Sequence, residues 1–145
     1  MAGLIFIEGG VAEDYRGSIR YVNDFDMTQV VRFYIVENVD TKFIRGWRAH
    51  RIEQRWFYVL NGAFSLKAVK IDDWTKPSRE SPIEEIILRS DDQLVIHIPA
   101  GYATALQALM PNSKLLVYAD YDIAHATQDD YTYPIDYFEF SGIRQ

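Results

Sequence analysis

Arg48 and His50 are the residues whose types and spacing could do chemistry, because they stand two apart in a segment that reads as a strand. Residues two apart in an extended strand project from the same face. Histidine takes up and releases a proton near neutral pH, and the planar guanidinium of arginine pairs with carboxylates and phosphates. The pair therefore predicts a polar site suited to proton transfer and anion binding.

The next strand is predicted over 54–60 and contributes a second set of side chains. The same two-residue spacing puts Gln54, Trp56 and Tyr58 on one face. We expect this face and the face of Arg48 and His50 to point together into a barrel interior. The aromatic rings would then line the mouth of the site.

A turn is predicted directly after this strand. Asn61-Gly62 is typical of a type I′ hairpin, since both central residues of that turn need positive φ. The sequence therefore predicts a hairpin that joins 54–60 to a strand at 63–71.

Bulk composition limits the function classes. A chain of 145 residues fits one domain, 1–145, and 48% hydrophobic residues exclude disorder. The net charge of −6 weakens a nucleic-acid interpretation. There is no cysteine, so disulfides, thiol nucleophiles and thiolate metal sites are excluded. The apolar N-terminal run is too short for a signal peptide or a membrane span, so we expect a cytoplasmic protein with no membrane partner.

Short apolar runs separated by turn residues predict an all-β fold of antiparallel strands. The loop 72–82 is expected to be a solvated hairpin end. The segment 129–138 is too aromatic for a free tail, and we expect it to pack across the sheet or a partner subunit. The predicted strands are 3–8, 17–23, 30–37, 43–49, 54–60, 63–71, 83–89, 93–98, 103–109 and 114–120.

The layout of these motifs resembles the cupins, which are double-stranded β-helix jelly rolls. A glycine and a pair of side chains two apart are followed, some forty residues on, by Pro99-Ala100-Gly101. In metal-binding cupins the ligands are three histidines and a glutamate, and the resemblance places those positions at Arg48, His50, Arg55 and Thr104. A single potential ligand among two cations does not suit a metal. We therefore expect no metal and no cofactor.

Four local motifs resemble a metal-free branch of the cupins: the dTDP-4-dehydrorhamnose 3,5-epimerases and the dTDP-4-keto-6-deoxyglucose 3,4-ketoisomerases, or WxcM-like sugar isomerases. The matches run over most of the chain. They are Asp14-Tyr15-Arg16-Gly17, Arg45-Gly46-Trp47-Arg48-Ala49-His50, Ile98-Pro99-Ala100-Gly101-Tyr102-Ala103, and Leu116-Val117-Tyr118 with Asp120-Tyr121.

The resemblance implies catalytic roles for four residues. It aligns Arg48 with the epimerases' histidine base, although arginine does not give up its proton at working pH. His50 matches the second histidine of the ketoisomerases, Arg55 a lysine that stabilises the enolate, and Tyr118 the strand of the epimerases' acid. Such enzymes need a base, an oxyanion stabiliser and an acid, because a carbon next to a ketone loses its proton as an enolate forms.

Ligand binding is also implied by the resemblance. Arg16 and Arg45 are expected to bind the pyrophosphate of a nucleotide sugar, whereas Trp56 or Tyr58 would stack on its base or sugar. Thr104 would complete the pocket. Relatives of this type form homodimers, and the apolar segment Leu4-Ile5-Phe6-Ile7 is consistent with pairing at a sheet edge.

Structural interpretations remain open beside these. His50 and Tyr118 could be satisfied core residues, and Arg48 and Arg55 could form salt bridges with Glu53, Glu37 or Asp120. Three functions follow. The protein is a nucleotide-ketosugar isomerase or epimerase, a catalytically silent cupin that binds a sugar nucleotide or small anion, or a structural jelly roll whose arginines are all paired.

Overall fold

The computed structural model describes residues 3–138. All ten predicted strands are present, and two short strands, at 10–14 and 131–132, were not predicted. In chain order the elements are β1 (Ile5–Glu8), β2 (Gly10–Asp14), β3 (Gly17–Tyr21), β4 (Arg32–Val36), β5 (Ile44–His50), β6 (Arg55–Asn61), β7 (Ala63–Lys70), β8 (Glu84–Arg89), β9 (Leu94–Ile98), β10 (Tyr102–Ala108), β11 (Lys114–Ala119), α1 (Ile123–Ala126) and β12 (Tyr131–Thr132).

Ten of these strands form two facing antiparallel sheets of five. The first sheet has the order β1-β9-β6-β11-β4, and the second has the order β12-β5-β10-β7-β8. Strands β2 and β3 form a separate hairpin. Neighbours within each sheet are mostly far apart in sequence, which is the jelly-roll arrangement that the cupin resemblance implies.

The space between the sheets is filled by apolar side chains from alternate positions of the strands. Phe57, Phe64, Leu66, Ile96 and Leu115 are each at most 1% exposed. Burying a side chain of this size stabilises the fold by about 1.5–3 kcal/mol.

A second apolar cluster lies on the outer face of the second sheet. Trp47 packs there against Phe138, with ring centroids 5.1 Å apart, and its indole Nε1 donates to the Ile135 carbonyl at 3.0 Å. Strand β12 pairs with β5. The aromatic C-terminal segment therefore packs across the sheet, as one of the two predicted arrangements had it.

The predicted hairpin at Asn61-Gly62 is wrong. Strand β6 pairs with β9 and β11, whereas β7 pairs with β10 and β8, so the turn carries the chain from one sheet to the other. Gly62 has φ +77°, and a Cβ there would lie 2.1 Å from Ser113 Oγ. Asn61-Gly62 does form a turn, as its sequence indicates. The dipeptide does not determine, however, whether the two strands that it joins pair with each other.

The connection from β5 to β6 also crosses between the sheets, and Asp129 holds it. This side chain is 1% exposed, and its carboxylate accepts backbone N–H groups from Arg51, Ile52 and Glu53 at 2.7–3.0 Å. A buried carboxylate persists in a fold when donors of this kind replace its water. The Asp129 bonds therefore fix the turn that separates His50 from Arg55.

We expect Asp129→Ala to lower the free energy of unfolding by about 3–5 kcal/mol, because three backbone N–H groups of the turn at 51–53 lose their buried acceptor. Chemical denaturation followed by tryptophan fluorescence measures the loss. Asp26→Ala is the matched control, since Asp26 is exposed and accepts a single N–H, from Thr28. A loss at Asp129 no larger than that at Asp26 would contradict this account.

Candidate functional site

A cavity of about 420 Å³ opens between the two sheets, at the edge formed by β4 and β12. Such a volume lies within the range of small-molecule sites. Phe57, Leu106 and Val117 contribute an apolar wall. The polar lining consists of Tyr34, Glu37, Arg45, Arg48, Arg55, Thr104 and Thr132.

Arg55 is the most buried of the charged residues that line this cavity. It is the first residue of β6 and 4% exposed, and its Nη1 donates to Thr104 Oγ1 at 3.2 Å. Burial lowers the pKa of the Arg55 guanidinium, and its electrostatic interactions with Tyr34 and Glu53 oppose that change. Its Nε has no hydrogen-bond partner within residues 3–138. A buried cation with an unused donor is suited to an anionic ligand.

Arg45 and Arg48 reach the cavity from β5, although they are three residues apart and would lie on opposite faces of a regular strand. The pairing of β5 with β10 shifts register between Thr104 and Leu106. Gly46 lies against this irregularity with φ +153°, and a Cβ there would be 2.7 Å from the Thr104 carbonyl oxygen. A glycine-dependent bulge therefore brings two arginines to one cavity.

Arg48 and Arg45 differ in their partners. Arg48 Nε lies 3.1 Å from Asp130 Oδ1, and its side chain is 59% exposed. Its partner is thus Asp130, and not one of the three carboxylates expected from the sequence. Arg45 donates from Nε to Asn38 Oδ1 at 3.1 Å, with no salt bridge found for it in the described part of the chain. Both guanidinium groups keep further donors for a ligand.

His50 shares the interior face with Arg48, as predicted, but it lies outside the lining of the cavity. It is 7% exposed, and its Nδ1 lies 2.6 Å from the Asp129 carbonyl oxygen. Since a carbonyl only accepts, Nδ1 carries the proton and Nε2 is left with the lone pair. Burial, followed by the charge of Arg55, lowers the pKa of His50 to about 4, so the ring is neutral at neutral pH.

Glu53 faces the free nitrogen of His50. Its Oε2 lies 3.7 Å from His50 Nε2 and has no hydrogen-bond partner among the described residues, while Oε1 accepts from Arg32 Nη2 at 3.0 Å. Burial raises the pKa of the Glu53 carboxyl, although Arg32 opposes this. The sequence indicated Glu53 only as a salt-bridge partner of Arg48 or Arg55, whereas its ion pair in the structure is with Arg32.

The predicted common face of the two strands is wrong for β6. Arg55 and Phe57 line the cavity, so Trp56 and Tyr58 point to the outer surface of the first sheet. Trp56 stacks there on His97, with centroids 4.7 Å apart. A shift of one residue moves every side chain of a strand to the opposite face of the sheet. The residues of β6 are nearly all apolar, so no alternation of polar and apolar residues indicated which face is buried.

Tyr118 also lies on the outer surface, beside Tyr58 and Phe25. Burial raises the pKa of its phenol, with a further contribution from Tyr58. Arg16 sits in the exposed turn between β2 and β3, where it pairs with Asp14. The structure therefore brings together Arg45, Arg48, Arg55 and Thr104, with His50 adjacent, but not Tyr118, Trp56, Tyr58 or Arg16. The roles assigned to all nine residues stay predictions.

Tyr34, like Thr132, is a polar cavity residue that the sequence analysis missed. It lies on β4, and its position in an apolar run offered no motif. The only available signal was its alternation with Arg32 and Val36 on a half-buried strand.

Metal binding and membrane insertion are two other possible functions of the chain. Within residues 3–138, no group of three or more His, Asp or Glu side chains is placed to hold a metal ion. No helix in this range is long and apolar enough to cross a bilayer. The metal-free site stays a prediction.

Comparisons with known proteins identify a family and a fold. The family model described as FdtA: WxcM-like, C-terminal, matches residues 5–145. No sequence match is found among curated proteins.

Solved structures with the same fold are numerous. A variant of the 3,4-ketoisomerase QdtA from Thermoanaerobacterium thermosaccharolyticum, in complex with TDP-4-keto-6-deoxyglucose, is 21% identical, with a TM-score of 0.67 over 90% of this chain and 88% of that one. The dTDP-4-dehydrorhamnose 3,5-epimerase of Bacillus anthracis, with TDP and PPi bound, is 16% identical, with a TM-score of 0.72 over 92% and 79%. The epimerase of Sulfolobus tokodaii is 17% identical, with a TM-score of 0.73 over 95% and 81%. At sequence identities of 16% to 21%, the structural similarity to these proteins establishes that this chain shares their fold.

The lowered pKa of His50 predicts a pH-dependent contribution to stability. Between pH 6.5 and about 4 the unfolded chain binds a proton at this histidine and the native protein does not, so this contribution is complete above pH 6.5 and is lost as the pH falls. We expect the difference in unfolding free energy between wild type and His50→Gln to shrink by about 3 kcal/mol from pH 7 to pH 4.

Denaturant titrations at several pH values measure this difference. The comparison is made between variants because Glu53 changes stability in the opposite direction. Its pKa is raised in the folded protein, so its contribution favours the folded state as the pH falls. Charged neighbours Asp129 and Arg55 are present in both proteins. Exposed His125, changed to Gln, is the control. A pH-independent difference at His50 would contradict the prediction.

Proposed function

This chain belongs to the WxcM-like, C-terminal family (FdtA), and from that membership we propose that it is an isomerase or epimerase of a nucleotide-linked 4-keto-6-deoxysugar. The reaction removes a proton from the carbon next to the ketone, in deoxysugar or polysaccharide biosynthesis in the cytoplasm. The observation that carries the proposal is the convergence of Arg45, Arg48 and Arg55 on one cavity in a protein of net charge −6.

The three arginines have different roles, which follow from how deeply each side chain is buried. Exposed Arg48 and Arg45 bind the pyrophosphate, because a guanidinium pairs bidentately with phosphate oxygens. Buried Arg55 stabilises the enolate oxygen, since a charge in a water-poor site acts more strongly than one in solvent. The apolar wall at Phe57 and Val117 accommodates the deoxysugar.

His50 acts as the base in this scheme. The hydrogen bond from Nδ1 to the Asp129 carbonyl leaves Nε2 free to accept a proton, and the lowered pKa keeps the ring neutral. Nε2 faces Glu53, so the released proton has a carboxylate 3.7 Å away. The ketosugar must reach past Arg48 for this step.

A second candidate function is a catalytically silent binder of a sugar nucleotide or small anion. The observation that favours it is the burial of His50 outside the cavity lining, with Arg48 in the position that the resemblance gives to the histidine base. The anion-binding arginines serve either function.

One experiment separates the two functions. We expect thymidine diphosphate to raise the melting temperature by mass action, and a sugar-ring proton of the 4-ketosugar to exchange with solvent in deuterated buffer, as followed by proton NMR. His50→Asn should abolish the exchange but leave the stabilisation. Stabilisation without exchange in the wild type would indicate the silent binder, and no stabilisation would refute both functions.

The cavity itself is tested with two arginine variants in the same assay. Arg48→Ala should weaken diphosphate binding by about tenfold or more, the effect of losing a charge-assisted hydrogen bond. Exposed Arg89 on β8, changed to Ala, removes the same charge away from the cavity and should leave binding unchanged. Equal effects would assign the binding to net charge alone.

We also propose that the protein is a homodimer. Strand β1 is an edge of the first sheet, paired on one side with β9, and it exposes Ile5 and Phe6 by 46% and 47%. A second copy would cover this apolar edge. Light scattering should give twice the monomer mass, and Phe6→Lys should shift the molecule toward monomer. A monomeric wild type at micromolar concentration would exclude the dimer.

A further inference from the structure

The two exposed arginines of the cavity lining are both held through the same atom. Arg48 Nε lies 3.1 Å from Asp130 Oδ1, and Arg45 Nε donates to Asn38 Oδ1 at 3.1 Å. A contact at Nε occupies one side of a guanidinium and leaves donors on the two terminal nitrogens. The protein therefore orients both side chains before any ligand binds.

Asp130 is itself fixed by the segment in which it lies. Its neighbour Asp129 is 1% exposed and accepts the backbone N–H groups of the turn at 51–53. Strand β12 begins on the other side of Asp130, and its Thr132 lies opposite Arg48 in the register with β5. The Asp130 carboxylate thus stands on a backbone that is anchored at both ends, beside the strand that carries Arg48.

A carboxylate beside a site for an anion needs a physical reason. The Asp130 side chain is 35% exposed, and a second carboxylate, Glu37, lines the same cavity. Each negative charge repels a diphosphate, by an amount that salt weakens. Glu37 is 56% exposed and lies 3.7 Å from Lys114, whereas Asp130 contacts an arginine of the lining. The two carboxylates therefore differ in their effect on a bound anion.

Conformational entropy supplies the reason. An arginine that is free in solvent loses rotamer freedom when a ligand immobilises it, and this loss lowers affinity by about two- to tenfold for each long side chain. Arg48 is 59% exposed, so without a partner its guanidinium would sample many positions. The contact with Asp130 restricts those positions in the unliganded protein, and the entropy is then no longer lost on binding.

We propose that Asp130 is a positioning residue for the diphosphate, an inference that rests on the proposed binding of a nucleotide sugar. Asp130 holds Arg48 at Nε and so presents Nη1 and Nη2 to the phosphate oxygens, with which a guanidinium pairs bidentately. Asp130 does not itself touch the ligand. The gain in affinity from orienting Arg48 exceeds the repulsion between the carboxylate and the diphosphate.

The experiment compares Asp130→Ala with Glu37→Ala, since each change removes one negative charge close to the ligand. Titration calorimetry with thymidine diphosphate at fixed ionic strength measures the affinity. We expect Asp130→Ala to weaken binding by about three- to tenfold, although a repelling charge is lost. Glu37→Ala should strengthen binding by about two- to fivefold, the size of a surface charge interaction, because the Glu37 carbonyl that accepts from Arg45 is kept. Equal losses in both variants would overturn the assignment.

A purely structural role of Asp130 is tested by repeating the change in an Arg48→Ala protein. With the arginine gone, Asp130 has no side chain to position and only its repulsion of the diphosphate remains. Asp130→Ala should therefore strengthen binding in that background, which reverses the sign of its effect. An Asp130 that only supports the fold would weaken binding in both backgrounds, and this result would overturn the proposal.

The conservative change Asp130→Asn separates the contact from the charge. The amide keeps an acceptor oxygen for Arg48 Nε but carries no charge that repels the ligand. We expect this variant to bind thymidine diphosphate at least as tightly as the wild type. A loss as large as that in Asp130→Ala would count against a positioning role.

Failure of this inference is distinguishable from failure of the function on which it rests. A wild-type protein that does not bind thymidine diphosphate would refute the proposed function, and the role of Asp130 with it. Wild-type binding that Asp130→Ala leaves unchanged or strengthens would refute the role of Asp130 alone. Inorganic pyrophosphate should show the same fold-loss in Asp130→Ala, since Arg48 acts on the phosphates. A loss confined to thymidine diphosphate would assign Asp130 to the nucleoside and contradict the proposal.

Discussion

The burial of the Asp129 carboxylate is the interaction on which the candidate site depends. Its oxygens accept three backbone N–H groups from the turn at 51–53, and its carbonyl fixes the tautomer of His50. That turn carries the chain between the two sheets, with His50 at one end and Arg55 at the other. One anchored carboxylate thus sets the spacing between the proposed base and the proposed oxyanion stabiliser.

Electrostatics explains why an acidic protein can bind an anion. The net charge of −6 is a property of the whole chain, whereas the cavity gathers Arg45, Arg48 and Arg55. Arg55 lies in an environment of low polarity, where its field is weakly screened. The cost of its burial is offset by Thr104 and by its interactions with Tyr34 and Glu53.

Strand register explains the largest differences between the predicted and observed sites. A shift of one residue reverses every side chain of a strand. On β6 this placed Arg55 inside and Trp56 outside, and on β11 it placed Val117 inside and Tyr118 outside. The resemblance pointed to Tyr118 on β11, whereas the tyrosine that lines the cavity is Tyr34, on the neighbouring strand β4.

The sequence by itself determined ten of the twelve strand segments, the all-β class and the interior positions of Arg48 and His50, because these depend on local composition and on a two-residue repeat. Only the tertiary structure decided which strands pair, since Asn61-Gly62 joins different sheets. It also decided the bulge at Gly46 and the contacts of Asp129, which link residues more than fifty positions apart. Such contacts leave no local pattern, so the site as a whole became visible only in the folded chain.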